Sequence, residues 1–185
     1  MSLQADSLAI AFVGRSNSGK TTLVEKVIAQ LSQRGHRVGS VKHHGHLGIE
    51  VDKEGKDSWR HMRAGSVHTV ISSPDKLVSI ENRKTEQDLS SILATMTSLD
   101  IVIVEGYREA DIPYFELFRE GNPRDTEDPF AHESARRLGL ISNRLDIKER
   151  AEQAGVRCFD LNDYMGVSAY LESCITQRKQ ERNEP

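Results

Sequence analysis

The chain has little of what marks several familiar protein classes. Its only cysteines are Cys158 and Cys174, with no CxxC pair, which excludes a disulfide framework and a thiolate zinc site. Each reads instead as a small apolar core residue. Neither sign of charge is in strong excess: 25 Lys and Arg stand against 28 Asp and Glu, a net charge of -3. Binding along a nucleic-acid backbone is therefore not its main task. Long apolar runs are missing as well. Leu8–Val13 and Ile101–Val104 fall far short of the ~20 residues that cross a bilayer, and Met1–Ser7 lacks the basic start and apolar stretch of a leader. The expectation is a soluble, cytoplasmic protein with neither nucleic acid nor membrane as partner. There is no internal repeat, and 185 residues fit the roughly 100 to 200 of one domain. A single domain over 1–185 is expected, with the polar end 177–185 frayed.

What is present is alternation. Leu8–Val13 suits a buried strand, and after Gly19 the residues Leu23, Val24, Val27, Ile28 and Leu31 repeat at helical spacing up to Gly35, a C-terminal cap. Further strands are expected over 37–42, 100–104, 113–119, 138–142 and 156–161. Helices are expected over 57–64, 85–96, 147–154 and from 164 to about 177, and another from the Asp128, Pro129 pair, since proline suits a first helical position. Thr85 and Asp88 have capping-box spacing. Pro74 and Asp75, between the runs 67–72 and 77–80, predict a hairpin. The stretch 119–126, rich in Gly, Asn, Pro, Asp and Glu, reads as a loop.

Gly14, Arg15, Ser16, Asn17, Ser18, Gly19, Lys20 and Thr21 fit the phosphate-loop pattern GxxxxGK[ST], which arises by chance at about the 1% level in a chain of this length. The segment follows a predicted strand and opens a predicted helix, where backbone N–H groups cradle polyphosphate. Gly14 and Gly19 allow the required backbone, and the loop through Thr22 holds phosphates. Lys20 would lie across the β- and γ-phosphates, and the Thr21 hydroxyl would help hold Mg²⁺. With the alternating elements, this predicts an α/β, P-loop NTPase-like three-layer fold: a mostly parallel sheet, helices on both faces and an inserted β-hairpin. Glu105, directly after the strand 101–104, is placed to reach the magnesium from a neighbouring strand end. Asp52, in the loop after the second strand, reads either as a group that orients water or binds Mg²⁺, or as a solvated loop acid. Lys20, Asp52 and Glu105 are thus the catalytic candidates.

Two further clusters stay open. His43, His44 and His46 end the second strand; they would hold zinc or nickel only with a fourth ligand, which is not evident, and beside Lys42 they equally suit an anionic ligand such as a second phosphate. Asn143, Arg144, Leu145 and Asp146 resemble the NKxD element by which many phosphate-loop GTPases read guanine, with Arg144 in place of the lysine whose stem packs on the purine. Asn143 and Asp146 would then bind the base; alternatively they open a helix.

Taken together, the phosphate loop, Val41 to His44, Asp52, Gly55 to Ser58, Ala64 with Gly65, Val104 to Tyr107, and Pro113 with Glu116 and Arg119 resemble the molybdopterin-guanine dinucleotide biosynthesis protein B (MobB) family. The likeness is strong over roughly residues 8 to 120, and Phe159 to Asp163 extends it. Arg108 stands where a lysine is usual in that family, and Tyr114 with Phe115 replaces a Lys-Ile pair. The resemblance implies a cytoplasmic, GTP-binding, weakly GTP-hydrolysing homodimer that assists a molybdopterin guanylyltransferase (MobA-like). Its cofactors would be GTP and Mg²⁺, with molybdopterin as a possible ligand. The loop 42–58 would face the pterin or act as a switch, making Lys42, His43, His44 and Lys56 candidates for pterin or anion contact. The residues alone also admit an ATP-dependent small-molecule kinase, which would need a lid of clustered arginines where Arg119, Arg124, Arg136 and Arg137 are scattered, or a GTP-driven metal-insertion chaperone using the three histidines.

Overall fold

The computed structural model describes residues 7–132 and 134–183. In chain order the elements are β1 (Leu8–Gly14), α1 (Lys20–Gln33), β2 (Val38–Lys42), α2 (Asp57–Arg63), β3 (His68–Ser72), β4 (Leu77–Glu81) and α3 (Leu89–Thr95). There follow β5 (Ile101–Glu105), β6 (Tyr114–Phe118), β7 (Arg137–Ser142), α4 (Leu145–Gln153), β8 (Cys158–Phe159) and α5 (Tyr164–Asn183). Contacts gather them into two compact units, one formed by the chain up to His43 together with the chain from Leu89 onward, the other by His44–Asp88.

The first unit is a six-stranded sheet in the order β2-β5-β1-β6-β7-β8, with every ladder parallel. Its central strands are apolar on both faces because helices cover both. Ile10, Phe12, Ile101, Ile103, Phe115 and Leu117 point to the layer that holds Leu23, Val27 and Leu31 of α1 and Val167, Leu171 and Ile175 of α5. Ala11, Val13, Val102 and Val104, offset by one residue, meet Leu89 and Leu93 of α3. Phe118 and Leu140 pack on Ile147 and Ala151 of α4. The α/β expectation holds. After β1 the chain moves to one side of the sheet, while β6 lies on the other, so the C-terminal end of β1 sits at a switch point where such sheets bind ligands.

The hairpin forms as expected, β3 against β4 in a two-stranded antiparallel sheet of its own in the second unit. Four expectations need correction, among them the end expected to fray from 177 onward, which is helix as far as Asn183. The helix expected over 85–96 starts only at Leu89; Asp88 immediately precedes it, a residue type suited to an N-cap, and the box at Thr85 is not used to open it. Asp128 with Pro129 does not start a helix. Asp128 instead accepts the Phe130 N–H at 3.0 Å and its carbonyl accepts the Ala131 N–H at 3.1 Å, a local turn that competes with helix shortly before β7 begins. The strand expected over 156–161 shrinks to Cys158 and Phe159. Helix α5 runs on to Asn183, tied beyond Gln177 by Lys179 to Asp100 at 2.6 Å and by Gln177 to Glu181 at 3.1 Å. Both cysteines are free and only partly buried, with burial raising the pKa of the Cys158 thiol above its ordinary value.

Candidate functional site: a phosphate loop between β1 and α1

The loop turns because its residues permit it. Gly14 has φ 157°, and a Cβ there would lie 2.8 Å from the Leu117 carbonyl and 2.9 Å from Ser18 Oγ, so no larger residue fits. Asn17, of a type that tolerates the left-handed region, has φ 67°. Gly19, the N-cap of α1, has φ 90°; it offers no side-chain cap, and the first turn carries no acidic residue. The positive end of α1 is left for an external anion.

Lys20, first residue of α1, curls back over the loop and donates to the Gly14 carbonyl at 2.9 Å, the Arg15 carbonyl at 2.8 Å and Ser18 Oγ at 3.4 Å. Burial lowers its proton affinity, while Glu105 and Asp125 partly restore it. Thr21 follows, and its hydroxyl donates to Glu105 Oε1 at 2.7 Å. Strand register explains the meeting: Glu105 ends β5 opposite Lys42 on one neighbour and Phe12 on the other. The Lys42 ammonium lies 3.1 Å from Glu105 Oε1 and donates to Thr21 Oγ1 at 3.3 Å. A cation is thus already seated against the hydroxyl and carboxylate oxygens that suit Mg²⁺, a hard ion that prefers oxygen ligands. These donors fit that ion, which would have to displace Lys42, whose side chain is 58% exposed. Arg15, Ser16 and Asn17 are exposed, Ser18 is buried and Thr22 is exposed.

His43 continues the same edge. Its N–H donates to the Glu105 carbonyl at 2.9 Å, and its ring lies 4.7 Å from that of Tyr107. Gly106, with φ 94°, passes so close that a Cβ would meet His43 Cβ at 2.9 Å.

The NRLD element lies at the junction of β7 and α4. Asn143 Oδ1 accepts the Glu120 N–H at 2.8 Å. Asp146, in the first turn of α4, is gripped by Arg144 through Nε at 3.1 Å and Nη2 at 2.6 Å. That hydrogen bond holds the Asp146 carboxyl below the usual carboxylate range and raises Arg144.

The loop after β6 was legible only as a loop, yet it joins the site. Asn122 Nδ2 donates to the Ser16 carbonyl at 3.1 Å, Glu127 pairs with Arg15, and Asp125 is buried. No spacing signal marks these residues; a polar loop placed at a sheet switch point is the only hint. Beside it, Arg108 donates to Glu116 Oε1 at 2.8 Å and lies 3.5 Å from Glu127. Glu116, with its side chain 9% exposed, also faces Arg137 at 3.5 Å. The charge at position 108 therefore serves a buried carboxylate on the wall of a cavity of ≈ 390 Å³.

Asp52, His44 and Lys56 lie in the second unit. There Asp52 Oδ1 accepts the Lys53 N–H at 2.8 Å while Oδ2 is buried without a partner. Lys56 is the N-cap residue of α2, and the His44 and His46 rings stand edge to face at 5.8 Å. Among the described residues no group of three His, Cys, Asp or Glu is arranged to hold a metal ion, and no helix is long and apolar enough to cross a membrane.

Comparison with known proteins bears on the chain as a whole. The family model described as molybdopterin guanine dinucleotide synthesis protein B matches residues 9–142. The chain is 38% identical over 169 residues to the molybdopterin-guanine dinucleotide biosynthesis adapter protein of Escherichia coli (strain K12), spanning 88% of this chain and 90% of that one. It is 28% identical over 163 residues to the probable adapter protein of Bacillus subtilis (strain 168), at the same coverages of 88% and 90%. The crystal structure of Bacillus subtilis MobB superposes with a TM-score of 0.70 at 27% identity, covering 89% of this chain and 96% of that chain. A MobB homologue from Bacillus stearothermophilus gives 0.63 at 26% identity, covering 91% and 98%. Matched by the family model over residues 9–142 and alike in sequence and architecture to members over most of their length, the chain belongs to the molybdopterin guanine dinucleotide synthesis protein B family.

Proposed function

We propose that this chain is a GTP-binding adapter of molybdenum cofactor biosynthesis that assists the conversion of molybdopterin to molybdopterin-guanine dinucleotide and hydrolyses GTP only weakly. The observation that carries the reading is the meeting of Lys20, Thr21 and Glu105 beneath an uncapped helix N-terminus, in a chain whose relatives are named as adapters of that synthesis. The backbone from Gly14 to Thr22 would hold the phosphates, with Lys20 turning from the loop carbonyls to the β- and γ-phosphates. Thr21 and Glu105 would hold Mg²⁺, which when bound neutralises phosphate charge. Asn143 and Asp146 would read guanine once Arg144 lets go. Asp52, with an unpartnered buried oxygen, stays a candidate for orienting water. Lys42, His43, His44 and Lys56 stay candidates for an anionic or pterin ligand.

Slow hydrolysis is expected because the described residues bring no unengaged arginine to the phosphate loop. Phosphoryl transfer depends on positioning and charge stabilisation, and Arg15, the arginine of the loop, is engaged by Glu127. In this reading residues 1–185 act as one cytoplasmic GTP-binding domain, the His44–Asp88 unit being an insertion. The chain works as a homodimer beside a MobA-like guanylyltransferase, which does the transfer.

Parallel titration of the protein with GTP, ATP and molybdopterin tests the reading, with Lys20→Ala as control. GTP should bind and Lys20→Ala should lose it, with little change in thermal stability, since relief of a partly buried charge offsets the lost bonds to Gly14 and Arg15. Equal GTP affinity in the two proteins would remove the phosphate-loop assignment.

A further inference from the structure

Asp125 belongs to none of the motifs that define the site. The residue is 8% exposed. Its Oδ2 accepts the Arg119 N–H at 2.8 Å, while Oδ1 is buried with no hydrogen-bond partner. Burying a carboxylate oxygen unsatisfied is costly, so the loop must be held shut around it. It is: the Arg119 carbonyl accepts the Asn122 N–H at 3.2 Å and the Asn122 carbonyl accepts the Asp125 N–H at 3.1 Å. The loop is also fastened to the phosphate loop on both sides of Asp125, through Asn122 to the Ser16 carbonyl at 3.1 Å and through Glu127 to Arg15. The protein contacts of the Lys20 ammonium are, by contrast, neutral: two carbonyls and a hydroxyl. Lys20 itself donates to the Arg15 carbonyl, so these two fastenings bring the Asp125 carboxylate to the Lys20 end of the loop, where it adds to the stronger pull of Glu105 on that ammonium against the lowering by burial. A desolvated anion therefore stands within electrostatic reach of the cation expected to grip phosphate, in surroundings where salt screens little.

We propose that Asp125 is a specificity-determining residue of the nucleotide site, whose buried charge draws on Lys20 and repels the terminal phosphate. It thereby narrows the preference for nucleoside triphosphate over diphosphate that the phosphate loop alone would give. This rests on the GTP reading above. The γ-phosphate brings the extra negative charge to Lys20, so it feels the competing carboxylate most. Asp125 acts through space and through Lys20, and needs no contact with the ligand.

Asp125→Asn tests it. Asparagine keeps an oxygen for the Arg119 N–H and replaces the unpartnered oxygen with a neutral amide. Affinities for GTP and GDP are measured by calorimetry on wild type and variant, at low and high salt. The expected result is a gain of about tenfold for GTP and less for GDP, a change that persists in salt because the charge is buried. An unchanged GTP to GDP ratio would show that the phosphates do not feel Asp125, and a fall in GTP affinity would make it a direct acceptor for the ligand; either overturns the proposal. Should Asp125→Asn fail to fold by circular dichroism, Asp125→Ser, whose hydroxyl can also accept the Arg119 N–H, decides on the same ratio. Wild type that binds no guanine nucleotide would sink the GTP reading itself, and this inference with it; wild type that binds, with the ratio unmoved, would sink only the role of Asp125.

Discussion

At the scale of single residues, the sharpest question is what Asp146 does with its two oxygens. In this structure Arg144 occupies both, at 3.1 and 2.6 Å. A guanine base offering a ring N–H and an exocyclic amine would have to displace that guanidinium, exchanging one bidentate pair for another. Asp146→Asn should then reduce the preference for GTP over ATP by roughly 1 to 3 kcal/mol, about fivefold to 150-fold, as read from paired titrations. If selectivity survives, Asn143 and Asp146 serve only to anchor the loop at Glu120 and to open α4. Gly14, Lys20, Thr21 and Glu105 were legible in the sequence because each answers a local demand: a turn without a Cβ, a cation and hydroxyl at a helix start, an acid at a strand end. Asp125 was not legible. Its burial comes from how a polar loop closes against Ser16, and nothing in the composition of 119–126 encodes which acid goes inward.

At the scale of elements, periodicity marked the buried strands well because both faces are covered and the apolar runs are unbroken. It marked ends poorly. Helix α3 opens at Leu89, directly after Asp88, rather than at the box that Thr85 and Asp88 offer. Strand β8 is short, yet it has one demanding neighbour. A Cβ on Gly139 would lie 2.7 Å from the Arg157 carbonyl, the group that accepts the Leu140 N–H at 2.8 Å. Backbone, unlike a flexible side chain, cannot step aside. Gly139→Ala should therefore push β7 and β8 apart and cost about 1 to 3 kcal/mol, measured as a lower midpoint in urea unfolding. A variant as stable as wild type would mean that this edge of the sheet yields freely.

At the scale of the whole molecule, apolar exposure is unevenly spread. In the second unit Val70 is 52% exposed, Leu77 72%, Ile71 40% and Val78 43%. Strand register puts Ile71 opposite Val78 on one face of the hairpin, while Val70 and Leu77 lie on the other. A two-stranded sheet has two open edges, and such edges pair readily with a copy of themselves. If the chain forms the homodimer proposed above, this hairpin is the expected interface. Val70→Asp with Leu77→Asp should turn a dimer into a monomer in light scattering behind size exclusion; a variant that stays dimeric puts the interface elsewhere.

Lys42, resting against the oxygens of Thr21 and Glu105, gives the chain a counter-charge of its own. Acquiring shape and acquiring cargo thus become separate events. If Thr21 and Glu105 hold magnesium as proposed, a cell starved of it should leave this protein intact and unloaded, waiting rather than undone.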